Sequence, residues 1–158
     1  MMRREEQICR QMGEMAGLAT NIINQTSVLL QSGDIDGAIG LLEKQDVELA
    51  SVDDAVAKGR RLSLRASISS TRGDNAGALA LLREAEKLFR TATDAEALGT
   101  CLLTEAGLLP NDPEHVEEAT RMANEALELA GKHGLTVLET EIRRLLDERR
   151  GSSTSGEE

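Results

Sequence analysis

Two segments of this chain align without a gap. Gly33-Asp34-Ile35-Asp36-Gly37-Ala38-Ile39-Gly40-Leu41-Leu42-Glu43 returns 40 positions later as Gly73-Asp74-Asn75-Ala76-Gly77-Ala78-Leu79-Ala80-Leu81-Leu82-Arg83. A weaker third copy, Glu118-Ala119-Thr120-Arg121-Met122-Ala123-Asn124-Glu125-Ala126-Leu127, follows at an offset of 41. A repeat of this length is one supersecondary unit whose apolar face cannot be buried alone, so successive units must stack.

The unit reads as a helix, a tight turn and a second helix. Glycine takes the left-handed conformation that ends the first helix, and the aspartate after it caps the next. Ala38, Ala78 and Ala119 sit early in the second helices, where a small side chain lets two helices approach. Leu41, Leu42 and Leu49, then Leu81, Leu82, Ala85 and Leu88, continue an apolar face at helical spacing. The third unit lacks Gly-Asp and enters its helix through Asn111-Asp112-Pro113-Glu114, with Asp112 predicted as N-cap and Pro113 as first helical residue. Helices are expected near 4–31, 35–50, 53–72, 75–91, 94–109, 113–132 and 136–149. The first is expected to break around Gly13 or Gly17, and Lys132-His133-Gly134 reads as a stop.

Composition agrees with an all-α chain. Hydrophobic residues make up 40%, enough for a core, while one phenylalanine and two prolines leave little material for a β-sandwich. A net charge of −10 argues against nucleic acid as a partner, and the near absence of aromatic residues removes a base-stacking platform. Cys9 and Cys101 form no CxxC or Cys/His cluster and read as reduced, partly buried thiols. No apolar run is long enough for a membrane span and no apolar segment follows the charged N-terminus, so a soluble cytoplasmic protein is expected.

On Gly33-Asp34…Ala38 and Gly73-Asp74…Ala78, with Ala66 and Gly107 as small first-helix residues, the chain resembles the tetratricopeptide-repeat family in its longer bacterial form. The resemblance covers residues 19–150. It implies a right-handed α-solenoid of about three helical hairpins plus a C-terminal capping helix, preceded by a helical extension over 1–18 and followed by a disordered tail over 151–158. The family's usual aromatic positions hold Leu, Ile or Ser here. Gln45 and Thr26 stand where small residues are usual. Such arrays act as protein-interaction scaffolds, in bacteria often beside regulatory or signalling machinery.

The family's groove positions project onto Asn24, Ser27 and Gln31, then Arg60, Ser63, Ser67 and Ser70, then Thr104 and Glu105. Arg60, Ser63, Ser67 and Ser70 share one helical face. They read either as a polar peptide-binding wall or as small residues that permit tight packing. Lys58, Arg61, Arg65 and Arg72 form a basic stripe on the neighbouring face. It suits either an acidic partner segment or internal ion pairs with Glu43, Glu48 or Asp53. Ile8, Met12 and Met15 make an apolar stripe on an otherwise charged N-terminal helix, read as a self-association or docking surface or as core filling.

Other chemistries fit less well. Residues 32–43 match five positions of a calcium loop, including Asp34, Asp36 and Glu43, but the aligned copy at 72–83 loses most of the acids, so the turn serves helix packing. His115 beside Glu114 and Glu118 is expected to be a helix-start histidine rather than a metal ligand. No nucleophile–base set or phosphate loop is present, so neither an enzyme nor a bound cofactor or metal is expected. The expected role is a non-catalytic adaptor binding a peptide or protein segment, with a possible homodimer through the N-terminal helix. The alternative is a small acidic secretion chaperone of the type III class.

Overall fold

The Gly-Asp pairs end one helix and begin the next by the same hydrogen bonds each time. After α1 (Met2–Gln31), the Gly33 N–H donates to the Leu30 carbonyl at 3.1 Å and the Asp34 N–H to the Leu29 carbonyl at 2.9 Å. After α3 (Ala55–Thr71), Gly73 and Asp74 repeat this onto Ser70 and Ser69, both at 2.9 Å. This is a Schellman ending, and Gly33 and Gly73 carry φ of 82° and 86° to make it. The Asp34 and Asp74 carboxylates then accept from the Gly37 and Gly77 N–H groups at 2.9 and 2.8 Å, opening α2 (Ile35–Glu48) and α4 (Asn75–Ala92). α4 ends in the same way at Thr93, and Asp94 opens α5 (Ala95–Leu108). Gly134 closes α6 (Val116–His133), and α7 (Thr136–Thr154) follows. The computed structural model describes residues 2–48 and 54–154; these form seven helices, with no strand among them.

Three boundaries differ from expectation. α1 runs unbroken through Gly13 and Gly17, which cost helix propensity but meet no neighbour to bend them. α6 begins at Val116, not at Pro113. The Asp112 carboxylate accepts from the N–H groups of Glu114 and His115 and contacts the His115 ring at 2.7 Å, so residues 113–115 form a separate turn ahead of the helix. α7 continues through Thr154, into the segment read from sequence as a disordered tail, because neither a proline nor a left-handed residue stops it. Residues 155–158 and the Cys9, Glu48, Leu49 and Asp53 side chains lie outside the described residues.

Consecutive helices pack in order, α1 on α2, α3 on α4, α5 on α6 and α6 on α7, and α4 also meets α5. The odd-numbered helices touch one another in turn, α1 with α3, α3 with α5 and α5 with α7. Small residues on the even-numbered helices permit the packing of consecutive helices: Ala38, Ala78 and Ala119 are fully buried, as are Ala85 and Ala126. Leu82, Phe89, Leu102 and Ile142 fill the space between them. Gly59 is a true close contact, since a Cβ there would stand 2.6 Å from the Phe89 ring. α7 is fastened from a distance: the buried Arg149 donates to the Ala106 carbonyl and, at 2.8 Å, to that of Leu109, taking up carbonyls that the end of α5 leaves over.

The first hairpin is built from different material. Thr26 and Gln45 are fully buried in it, at the positions aligned with Ala66 and Ala85. Thr26 turns its hydroxyl onto the Ile22 carbonyl at 2.8 Å. Gln45 reaches the Ala19 carbonyl at 3.4 Å, and its own side-chain oxygen is buried without a partner.

Candidate functional site

Because the odd-numbered helices lie side by side, their exposed faces meet in a cleft with a cavity of about 340 Å³. Ser27 of α1 enters it, with Arg60, Ser63 and Ser67 of α3 and Glu96, Thr100 and Thr104 of α5. The floor is apolar: Ile23, Leu64, Leu82, Phe89, Ala97 and Cys101. Five of the nine groove residues expected from sequence, Ser27, Arg60, Ser63, Ser67 and Thr104, therefore come together from three helices.

The other four do not join them. Asn24 borders a separate, almost wholly apolar cleft of about 420 Å³ with Val28, Leu29 and Leu41. Gln31 is exposed at the end of α1, outside both. Ser70 donates to the Asn75 side-chain oxygen at 3.2 Å, bracing the turn into α4. Glu105 is a correction: it is fully buried on the opposite side of α5 from solvent and does not line this cleft. Two residues of the cleft, Glu96 and Thr100, escaped the sequence reading although they stand eight and four positions before Thr104, a polar row along one helix face.

The hydroxyls of the walls are largely committed. Ser27 donates to the Ile23 carbonyl at 3.0 Å, Ser63 to that of Gly59 and Ser67 to that of Ser63, both at 3.1 Å. Thr104 donates to the Thr100 carbonyl at 2.8 Å. Each hydroxyl gives its proton to its own helix and keeps its lone pairs for whatever lies in the cleft. Arg60 and Glu96 have no hydrogen-bond or ion-pair partner among the described residues.

Beneath the floor lies a buried acidic group. Cys101 donates to the Leu82 carbonyl at 3.3 Å and contacts Glu105 Oε1 at 3.6 Å. Burial and the adjacent Glu86 push the Glu105 carboxyl up to about 7. Burial, then Glu105, push the Cys101 thiol far above its ordinary range, so it stays protonated and is a poor nucleophile.

Two of the four residues of the basic stripe form internal ion pairs. Arg61 meets Asp46 of α2 at 3.3 Å and Arg65 pairs with the same carboxylate, a partner the sequence reading did not name. Arg65 and Arg72 border a smaller cleft with Glu43, and Lys58 is half-buried on the same helix. Asp34, which a calcium loop would need, caps α2 instead. At the N-terminal end, Ile8 and Met12 are 50% and 67% exposed, and Met15 is partly covered.

These features define an all-α protein whose odd-numbered helices share a polar-walled, apolar-floored groove. Set against known family models, curated proteins and solved structures, the chain matches none. No described helix is long and apolar enough to cross a membrane.

Proposed function

We propose that this chain is a non-catalytic adaptor of the tetratricopeptide-repeat type that holds a peptide or protein segment in the α1–α3–α5 groove. The convergence of Ser27, Arg60, Ser63, Ser67 and Thr104 on one cavity over an apolar floor carries this reading. Concave sites with an apolar lining and a few convergent polar groups are where ligands bind. The unpaired Arg60 and Glu96 supply the charges that would orient a segment there. The exposed end of α1, bearing Ile8 and Met12, is the surface proposed for self-association.

The test is affinity capture from the native lysate with wild type and a Ser63→Arg/Ser67→Arg variant. Ser67 is exposed and Ser63 half-buried at the groove wall, so two long cations fill the cavity with little cost to the core. A protein retained by the wild type and lost by the variant is the expected outcome. Equal retention by both would remove the groove from the mechanism.

A further inference from the structure

The walls of the groove are biased toward accepting hydrogen bonds. Ser27, Ser63, Ser67 and Thr104 have each given their one proton to a carbonyl of their own helix, and the carboxylate of Glu96 offers only acceptors. The donors left are the Arg60 guanidinium and the single Thr100 hydroxyl. An occupant that fills this cleft must therefore bring donors, above all for the Glu96 carboxylate, which would otherwise be buried unpaired.

From this we infer that the groove takes an extended peptide segment carrying a lysine or arginine that pairs with Glu96. This rests on the groove reading above and deepens it by naming the chemistry of the partner. An α-helical segment spends its backbone N–H groups on its own carbonyls, so only side chains would remain to meet the wall oxygens. An extended segment presents its N–H groups along its length and sends alternate side chains to opposite faces. One set then reaches the floor formed by Leu64, Leu82 and Phe89, while the segment's carbonyls face Arg60. The basic side chain answers the one carboxylate in the cavity that no internal cation neutralises. The net charge of −10 draws a cationic segment toward the protein as a whole, so the decisive observation is the dependence on this one residue.

The experiment uses the full chain and a positional-scanning library of acetylated, amidated dodecapeptides, read by retention on the immobilised protein. Wild type is compared with Glu96→Gln and with Ser67→Trp, which obstructs the groove without changing charge; thermal melts check that both variants fold. The expected result is selection of Lys or Arg at one position and of aliphatic residues at positions two apart. Retention should fall about tenfold in Ser67→Trp, and the basic preference should drop about tenfold in Glu96→Gln while the aliphatic one persists. A copy of the best peptide with methylated backbone nitrogens should bind at least tenfold less tightly. Selection of Asp or Glu, aliphatic positions three and four apart, or indifference to N-methylation would each overturn this inference and leave the groove reading intact. Retention unaffected by Ser67→Trp, or no retention of any peptide, would overturn both.

Discussion

Glu105 and its neighbour Ala106 show how far a single rotation along a helix carries. With Gly107 taken as the close-contact residue of α5, Glu105 falls toward the groove. The structure buries Ala106 instead and exposes Gly107, and that shift of about 100° turns Glu105 into the protein. Two adjacent small residues left the register open, and only packing decided it. The consequence is a measurable pH dependence. Burial and Glu86 raise the Glu105 carboxyl from its ordinary 4.5 to about 7. Between these values the folded state holds a proton that the unfolded chain has released, so this group makes the protein most stable at the acid end of the window. Stability is lost as pH rises toward about 7, by on the order of 3 kcal/mol, and the loss is constant above that. Glu105→Gln removes the titration. Urea unfolding should show the variant matching wild type near pH 4.5 and exceeding it near pH 8. Parallel pH profiles for the two proteins would show that Glu105 is not the group responsible.

At the scale of elements, helix ends were legible wherever the chain spells Gly-Asp, since a positive-φ residue followed by a carboxylate leaves the backbone few alternatives. The α6 entry was misread because Asp112 caps a turn with the same N–H bonds that it would use to cap a helix. The most informative end is one without glycine. Thr93 carries φ 55°, the only non-glycine residue with positive φ among those described, and its N–H and that of Asp94 reach Arg90 and Phe89 in the geometry of the glycine endings. A β-branched residue in this conformation is strained by roughly 1–2 kcal/mol, against which glycine's greater freedom when unfolded costs about 0.5–1 kcal/mol. Thr93→Gly should therefore stabilise the fold by about 0.5–1 kcal/mol, and Gly73→Ala should destabilise it by about 1 kcal/mol. Thermal melts of the pair check the claim: equal shifts, or shifts of reversed sign, would mean that the turns yield to whichever residue occupies them.

Across the whole molecule, the repeat predicted that the helices pair, and the fully buried alanines of α2, α4 and α6 fit that pairing. The different finish of the two ends was only half legible. α7 closes one end with Arg149 inside and the exposed pairs Glu139–Arg143 and Arg144–Glu148 outside. In the repeat architecture proposed above, a terminal helix would need such a polar outer face. The other end leaves apolar side chains exposed among its charged ones. α1 is 30 residues long, and its first buried residue among those described is Ala19. Ile8, Met12 and Met15 extend the stripe that Ala19, Ile22 and Thr26 bury further along, but Ile8 and Met12 stand in solvent, with Leu18 and Val28 exposed on the same helix. The self-association proposed above would cover both surfaces at once, each copy offering the same stripe in return. Burying what is still exposed of Ile8 and Met12 on each chain contributes roughly 5 kcal/mol, at about 2 kcal/mol per fully exposed side chain, which the cost of association largely offsets. The expected species is thus a concentration-dependent dimer. Light scattering should show the mass rising from the 17.0 kDa of one chain toward twice that as concentration increases. Met12→Glu should hold it at the monomer value with an unchanged melting temperature, because the side chain touches little of its own fold. A wild-type mass that stays at one chain up to roughly 1 mM would exclude self-association through α1.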